Sequence, residues 1–337
     1  MERTVYAHLG AVKNAGVVRP GIGLDNGVVR LAGGMVLIVT VDPVSAVPAF
    51  GMKLSAWLSV HLIASDFTTS GRDPEHATFS YNFPRTMAEI EREEFVASIG
   101  DACRELGVDI VAGHTGSYPG GGFTVIGAGS MMAEAPAGGF VTPAMAEAGD
   151  SIVMTKQAAT EAAGSLAMSF PSFVEKATGF PAERTGRKLL SSCTTVPDAR
   201  SARKLGVGPG GITSMHDATE GGVLGALDEM ATASGKAFQV EVDRVPVSPE
   251  VHAICRAFRL DPLETMGEGA LFITCGPDRV EELLRTLRRD GIPASEVGKV
   301  KRGKGLSLVD ARHVRAFVRR PDPYWRRYAE ATANRLK

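Results

Sequence analysis

The sequence has few cysteines, and none of them are closely spaced. Its 337 residues include 4 cysteines, and no Cys-x-x-Cys pair occurs. Structural zinc sites commonly use such pairs. We therefore predict no structural zinc site and expect Cys103, Cys193, Cys255 and Cys275 to be reduced and buried.

The chain also has no excess of one charge and no long apolar run. Its 37 basic and 38 acidic residues give a net charge of −1, which does not favour nucleic acid or an anionic membrane as a partner. The longest nearly uncharged stretch, residues 35–49, contains Asp42 and two prolines, and a membrane span needs ~20 apolar residues. Because the first ten residues resemble no secretory signal, we expect a soluble, cytoplasmic protein.

Several common catalytic motifs are absent as well. No G-x-x-x-x-G-K-[ST] occurs, since Gly235-Lys236 is followed by Ala237, and this excludes a P-loop. The pair Gly21 and Gly23 precedes the first clear strand, which argues against a dinucleotide-binding turn. No H-E-x-x-H or G-x-S-x-G is present. Any phosphate or metal chemistry must therefore use a less common site.

Strand and helix patterns alternate along the whole chain, which predicts an α/β or α+β fold. Residues 35–41 form a continuous apolar run that predicts a buried strand ending at Asp42. Residues 86–106 predict an amphipathic helix whose apolar face includes Ile90. The other predicted strands are 76–83, 108–112, 123–133, 151–155, 212–215, 238–245 and 270–275, and the other predicted helices are 53–69, 160–170, 223–234, 249–258 and 278–289.

The length of the chain favours two domains. We predict a boundary near residue 148, which divides the chain into residues 1–148, residues 149–310 and a basic tail at 311–337.

Four aspartates stand beside glycines or at the ends of predicted elements. Asp25 lies in a glycine-rich turn, and Asp42 ends a strand. Asp66 interrupts an apolar helix face, and Asp217 stands at the start of a helix. Carboxylates gathered in this way suit Mg²⁺, which prefers oxygen ligands. Taken singly, Asp25 could form a turn, Asp42 could terminate a strand, and Asp217 could cap a helix. Asp66 most clearly needs a partner, because its neighbours are apolar.

Two further segments could contact a ligand. His114 and Thr115 lie between glycines after a predicted strand, and Lys156 stands between a strand and a helix. A tight loop with a satisfied histidine and a solvated lysine are equally open interpretations. The glycine-rich turn at 206–211 is a weak signal for phosphate binding.

In their order along the chain, these stretches resemble the AIR synthase-related (PurM-like) superfamily, which includes PurM, HypE, thiamine-monophosphate kinase (ThiL) and selenophosphate synthetase. The resemblance extends from Gly21 to about Val300 and is strongest to the hydrogenase maturation protein HypE. The matching stretches are GLDNG at 23–27, TVD at 40–42, ASD at 64–66, GHT at 113–115, GDSIVMTK at 149–156, HDATEGG at 216–222 and MGEGAL at 266–271.

The resemblance implies a two-domain PurM-like fold, with an N-terminal ATP/Mg domain that dimerises through its sheet and a C-terminal α/β domain. It implies ATP and Mg²⁺ as cofactors and attack of a small-molecule acceptor on the γ-phosphoryl group. It also allows a maturation partner protein. By the same resemblance, the implied roles are metal binding for Asp25, Asp42, Asp66 and Asp217, nucleotide binding for His114, Thr115, Lys156, Thr219, Glu220 and Gly221, and catalysis for Glu268 and Asp217.

The chain departs from the HypE pattern at three points. HypE ends in a cysteine that carries the group to be dehydrated, whereas this sequence ends at Lys337 and its last cysteine is Cys275. We therefore expect that the cysteine-dependent reaction does not proceed here in its usual form. Leu24 replaces one acid of the usual pair, and Ser65 stands where asparagine is common. These changes predict weaker metal binding.

The C-terminal segment 312–337 is rich in arginine and includes Tyr324, Trp325 and Tyr328. A terminal amphipathic helix that packs its aromatic residues on the domain is the favoured interpretation, and a tail that docks nucleic acid or a partner is the alternative.

The sequence thus predicts an ATP- and Mg²⁺-dependent enzyme that phosphorylates an amide, alcohol or carbonyl oxygen. The alternatives are a nucleotide-binding assembly partner without turnover, a small-molecule kinase resembling ThiL and, third, a nucleic-acid-binding protein.

Overall fold

The computed structural model describes residues 4–11, 16–311, 313–334 and 336, which form two sheets with helices packed on them. The first sheet has six strands in the order β1-β2-β3-β6-β4-β5. All of its pairings are antiparallel except that of β4 with β5. Its strands are β1 (Gly16–Val18), β2 (Gly27–Arg30), β3 (Met35–Ser45), β4 (His76–Pro84), β5 (Asp109–Tyr118) and β6 (Val125–Pro136).

Two helices, α1 (Met52–Thr68) and α2 (Glu89–Leu106), pack on the first sheet. The alternating burial along β3 explains its place in the core, because every second side chain faces the apolar helix α1. In contrast to the sequence prediction, β3 continues through Asp42 to Ser45, since its pairing with β6 extends over that length. The sequence prediction placed Ile90 on the apolar face of α2, but Ile90 is 71% exposed and does not belong to the buried face.

The second sheet has seven strands in the order β13-β12-β9-β11-β7-β10-β8. Its strands are β7 (Ser151–Thr155), β8 (Ile212–Asp217), β9 (Ala237–Glu241), β10 (Leu271–Cys275), β11 (Ala294–Lys301), β12 (Gly305–Val309) and β13 (Val314–Ala316). The accompanying helices are α3 (Thr160–Ser169), α4 (Pro171–Thr178), α5 (Ala182–Leu190), α6 (Val196–Ala202), α7 (Gly222–Ser234), α8 (Pro249–Ala257), α9 (Val280–Arg289) and α10 (Tyr324–Ala333).

Strand β8 lies at one edge of the second sheet, yet every residue in it is buried. Helix α1 of the first domain contacts β8 and helps to cover that edge. This packing turns the last residues of β8, His216 and Asp217, towards the first domain. The sequence prediction placed Asp217 at the head of a helix, but the strand extends to Asp217 and α7 begins only at Gly222.

The C-terminal segment joins the second sheet through β13, because Val314 pairs with Val309 of β12. Helix α10 packs Tyr324 and Tyr328 into a cluster with α3 and α8. The predicted terminal amphipathic helix is therefore confirmed; Arg312, Arg335 and Lys337 of that segment lie outside the described residues. The boundary near residue 148 stays a prediction. Among the described helices, none combines the length and apolarity needed to cross a membrane.

The two domains are held together by polar contacts as well as by packing. Ser65 of α1 accepts a hydrogen bond from the backbone N–H of Thr195 at 2.8 Å. Asp73 accepts hydrogen bonds from Arg200 at 2.7 Å and from Arg203 at 2.6 Å. These contacts join residues more than a hundred positions apart, and they fix α1 and the loop that follows it against α6 and the residues on either side of α6. All four cysteines are buried and free, as expected.

A glycine makes the closest approach between the N-terminal turn and α7. Gly23 has a φ of 68°, and a β-carbon added there would lie 2.7 Å from both the Cβ and the backbone O of Glu229. A side chain at this position would therefore push the turn, and with it Asp25, away from the second domain.

We expect Gly23→Ala to lower the free energy of unfolding by about 2 kcal/mol or more, because the positive φ and the clash with Glu229 both oppose a β-carbon. Gly21→Ala is the matched control in the same turn, since the nearest atom to its new β-carbon is the end of the flexible Leu24 side chain, at 3.1 Å, and the nearest backbone atom is Arg19 O, at 3.8 Å. Urea denaturation measures both variants. Equal stability of the two would contradict the close packing of Gly23 on α7.

Candidate active site

A cavity of about 820 Å³ lies between the two domains. Its walls come from the N-terminal turn, β3, α1, α3, the loop after β8, the loop before β10 and the C-terminal segment. The acidic residues on its lining are Asp25, Asp42, Asp66, Glu161, Glu220, Glu229 and Glu268. The cavity is thus strongly acidic and draws its residues from both domains.

The backbone around Asp25 and Asp66 is fixed by neighbouring side chains. Thr40 of β3 donates a hydrogen bond to the backbone O of Asp25 at 2.9 Å. Asn26 donates to the backbone O of Asp66 at 2.8 Å and to Thr69 at 3.0 Å. Polar residues of neighbouring segments therefore hold the two backbone carbonyls in place, and both aspartates line the cavity.

Asp25 and Glu229 pair with His216, but other carboxylates of the site form no ion pair among the described residues, and their pKa values are raised. Burial and then the charge of Glu220 raise the pKa of Asp42 to about 7. Burial and then the charge of Asp25 raise the pKa of Asp217 to about 7 as well. Burial, followed by the charge of Asp217, raises the pKa values of Asp66 and Glu268 well above the ordinary range. A bound cation would relieve this repulsion.

Buried oxygens without hydrogen-bond partners also indicate that the site lacks positive charge. Asp217 is fully buried, and neither of its carboxylate oxygens has a partner. Glu268 is 8% exposed, and its Oε2 atom has none. Asp25, His216 and Asp217 present ligand atoms that all lie within 4.8 Å of one another. Unpaired carboxylate oxygens at this density fit a hard divalent cation such as Mg²⁺.

His216 connects the candidate metal-binding residues to the C-terminal segment. Its Nδ1 atom lies 2.8 Å from Asp25 Oδ1, and its Nε2 atom lies 3.1 Å from Glu229 Oε2. Burial alone would lower its pKa, but the charges and hydrogen bonds of Asp25 and Glu229 raise it well above the ordinary value. Both ring nitrogens therefore donate, as an imidazolium does. Arg319 extends the chain of contacts by binding Glu229 at 2.6 Å.

The structure brings most of the residues implied by the resemblance to one place. Asp25, Asp42 and Asp66 line the cavity, and Asp217 lies beside Asp25. The remaining implied residues that line it are Thr219, Glu220 and Glu268.

Four residues to which the family resemblance assigns nucleotide binding do not line the cavity. His114 and Thr115 are exposed on the edge strand β5, where His114 Nε2 lies 2.9 Å from the hydroxyl of Tyr118. The GHT stretch continues a strand instead of forming a loop, because it pairs along β4.

Lys156 and Gly221 are both engaged within the second domain. Lys156 forms an ion pair with Asp198 at 2.5 Å and donates to the backbone O of Thr194 at 2.8 Å. It is therefore neither solvated nor directed at the cavity. The backbone N–H of Gly221 donates to Asp322 at 2.8 Å. This contact ties the loop after β8 to the C-terminal segment.

Sequence reasoning missed Glu161, His216, Glu229 and Arg319 as site residues. His216 was visible beside Asp217, inside the matching stretch, and its position could have suggested a role. Glu161 and Glu229 lie on helices, where an acidic residue ordinarily signals a solvated face or a favourable helix N-terminus. Arg319 lies in a segment remote from every motif, so only the fold reveals its contact.

Solved structures share this architecture. Escherichia coli HypE aligns with a TM-score of 0.72 at 24% identity, over 86% of this chain and 87% of that chain. A HypE structure in complex with ATP aligns with a TM-score of 0.69 at 23% identity, over 91% and 92% of the two chains. A HypE–HypF complex aligns with a TM-score of 0.68 at 21% identity, over 87% and 93%. The two-domain PurM-like fold predicted from the sequence is therefore confirmed.

Sequence comparison agrees with the fold. Carbamoyl dehydratase HypE of Cupriavidus necator is 28% identical over 261 residues, which cover 76% of this chain and 68% of that protein. The model for the AIR synthase related protein N-terminal domain matches residues 23–131, and the model for the C-terminal domain matches residues 147–311. The two models together span most of the sequence, and the chain belongs to the AIR synthase related family.

Proposed function

We propose that this protein is an ATP- and Mg²⁺-dependent phosphoryl-transfer enzyme that phosphorylates an amide, alcohol or carbonyl oxygen of a small-molecule acceptor. The observation that carries the proposal is the pair of buried, unpartnered oxygens of Asp217 beside Asp25 in an acidic interdomain cavity. The similarity to HypE, a protein whose structure has been solved with ATP, supports it. A cavity of about 820 Å³ can hold a nucleotide and a small acceptor together.

Asp25, Asp42, Asp66 and Asp217 would hold Mg²⁺, and their oxygen-only donor set suits this ion. When bound, Mg²⁺ neutralises charge on the phosphate oxygens of the nucleotide. Thr219, on the cavity lining, can donate its hydroxyl hydrogen to a phosphate oxygen. Glu220 lines the same wall, but its negative charge suits the metal or the acceptor better than a phosphate.

Glu268 is our candidate for orienting and deprotonating the acceptor. It lines the cavity, is nearly fully buried, and its raised pKa makes its carboxylate a stronger base than an ordinary glutamate. In the proposed reaction the acceptor oxygen forms a bond to the γ-phosphorus atom of ATP. The bond between that phosphorus and its bridging oxygen breaks, ADP leaves, and Glu268 takes any proton that the acceptor oxygen loses.

The exposed edge of the first sheet supports a homodimer. Every residue of β5 except Gly116 is exposed, and the strand ends the sheet. An uncovered edge strand with apolar side chains is a ready surface for another chain. Val111 is 53% exposed on this strand, and His114 and Thr115 lie beside it. In such a dimer these two residues would face the second copy.

A nucleotide-binding assembly partner without turnover remains the second candidate. Leu24 and Ser65 favour it, because each stands where family members commonly carry a polar ligand. A HypE protein has been solved in complex with HypF, which supports a protein partner for this chain as well. Acceptor-dependent phosphate release distinguishes the two candidates, because only the enzyme shows it.

Asp42→Asn tests the metal-binding cluster. We expect it to weaken Mg²⁺-dependent binding of a non-hydrolysable ATP analogue at least tenfold, since one ligand charge is lost from the site. Calorimetric titration with and without Mg²⁺ measures the effect. Asp101→Asn is the control, because this aspartate is 74% exposed and lies on α2. Unchanged affinity in Asp42→Asn, or no binding by the unsubstituted protein, would refute the proposed function.

The raised pKa values also predict how stability depends on pH. Asp42 and Asp217 have folded pKa values of about 7 against an ordinary 3.8, so the folded state holds more protons than the unfolded state between these values. Stability contributed by these groups is therefore lost as pH rises through that window.

Without divalent cations, we expect Tm to fall by about 3 °C or more between pH 5.5 and pH 8, and Mg²⁺ to reduce this fall. Differential scanning calorimetry in EDTA and in Mg²⁺ measures both slopes. Asp217→Asn should flatten the slope in EDTA, and the exposed-site variant Asp101→Asn should keep it. An identical slope with and without Mg²⁺ would argue against metal binding by the cluster.

Val111→Glu tests the dimer. We expect sedimentation velocity to show a shift towards monomer, since a charge would enter the centre of the proposed interface. Val314→Glu provides the control, because Val314 is 63% exposed on the edge strand of the second sheet. A chain that is monomeric without either substitution would refute the dimer.

A further inference from the structure

The wall of the cavity formed by α3 and α10 combines one acidic residue with three aromatic residues. Glu161 lies in the first turn of α3, and Tyr324, Trp325 and Tyr328 lie on α10. All four side chains line the cavity. None of them belongs to the seven short sequence stretches that carry the resemblance to the family.

Glu161 lacks a positive partner. Its Oε2 atom is buried and has no hydrogen-bond partner. Burial, followed by the charges of Glu220, Asp42 and Asp322, raises its pKa to about 8. A carboxylate in this position gains most from a ligand that brings positive charge.

The protein itself supplies no cation for this carboxylate. Among the described residues on the cavity lining, the positively charged side chains are Arg319 and His216. Arg319 is bound to Glu229, and His216 lies between Glu229 and Asp25. A nucleotide cannot fill the role either, because its phosphates are negative and would repel Glu161.

The aromatic side chains beside Glu161 form a prepared surface. Tyr324 is 2% exposed and Tyr328 donates a hydrogen bond to Ser169 at 3.2 Å, so both rings are fixed by the domain. The Trp325 ring centroid lies 5.1 Å from that of Tyr324 at an interplanar angle of 79°. Trp325 is nevertheless 53% exposed, and its indole remains open to a ligand in the cavity. Aromatic faces of this kind attract organic cations and flat apolar groups.

We propose that the acceptor is an organic ammonium compound with a flat apolar part, whose cationic group binds Glu161 and whose apolar part packs against Trp325 and Tyr328. This inference rests on the proposed phosphoryl-transfer function and names the substrate class of the same cavity. A hydrated Mg²⁺ ion would satisfy Glu161 but would leave the aromatic wall without a role. An organic cation uses both features.

Three probes that share one ring test the charge preference: phenethylamine, 2-phenylethanol and phenylacetate. Each is titrated into the full chain, with and without Mg²⁺ and a non-hydrolysable ATP analogue. The protein has 2 tryptophans, so in a Trp57→Phe background the fluorescence reports Trp325 alone. We expect the amine to bind at least tenfold more tightly than the alcohol, and the carboxylate to bind more weakly than both.

Two substitutions assign the preference to the proposed residues. Glu161→Gln should weaken amine binding at least tenfold and leave alcohol binding within twofold. Glu250→Gln is the matched control, because Glu250 is also the second residue of its helix, α8, and does not line the cavity. Trp325→Ala, read by calorimetry, should weaken the amine and the alcohol alike.

Equal affinities for the amine and the alcohol would overturn the proposal, and so would Glu161→Gln binding the amine as tightly as the unsubstituted chain does. If Glu161→Gln instead abolishes Mg²⁺ binding and leaves the amine unaffected, Glu161 is a metal ligand and the proposal is wrong. Because the probes are also titrated without nucleotide, failure of nucleotide binding is seen separately and refutes only the proposed function.

Discussion

The main physical constraint on this structure is electrostatic repulsion among the buried carboxylates of the cavity. Most of these carboxylates have no positively charged partner among the described residues. Burial, followed by the charges of neighbouring carboxylates, raises the pKa values of Asp42, Asp66, Asp217 and Glu268. A protein selected for stability alone would place cations or apolar groups at these positions. The cost is understandable only if a ligand supplies the missing positive charge, since buried acids without partners lower stability in its absence.

The interdomain contacts determine where this repulsion is concentrated. Asp25 comes from the N-terminal turn and His216 from β8, and the two meet only because the turn packs tightly on α7 at Gly23. Ser65 and Asp73 fix the same two domains at other points. A shift of one domain by an ångström would therefore disturb the acidic residues of the site and the domain interface together. The protein places the site where the fold is most tightly constrained.

The sequence predicted the aspartates of the cavity better than the rest of the site. Asp25 was recognisable from its glycine-rich turn and Asp66 from its apolar neighbours, and the structure shows Thr40 and Asn26 fixing the backbone of the two aspartates. Lys156 carried a similar motif signal, but it pairs with Asp198, a residue 42 positions away that no local pattern indicates. Glu161 illustrates the same limit, because the aromatic residues that line the cavity with it come from helix α10 at the far end of the chain. Local signals thus identified acidic residues in turns and at element ends, whereas partners from distant segments could not be predicted.

The difference between residues recognisable from local motifs and residues contributed by distant segments has a physical explanation. It bears on how one fold can serve several acceptors. The nucleotide and metal are common to the proposed chemistry, and the residues that would hold them lie in short motifs that fix one another's backbone. The proposed acceptor surface comes instead from side chains on separate helices, and α10 reaches the cavity through its packing against α3 and α8. Substitutions on α10 can change the shape and charge of that wall without moving Asp25 or Asp42. In this chain the wall combines one unpaired acid with three aromatic rings, a pairing suited to a cation that carries apolar surface.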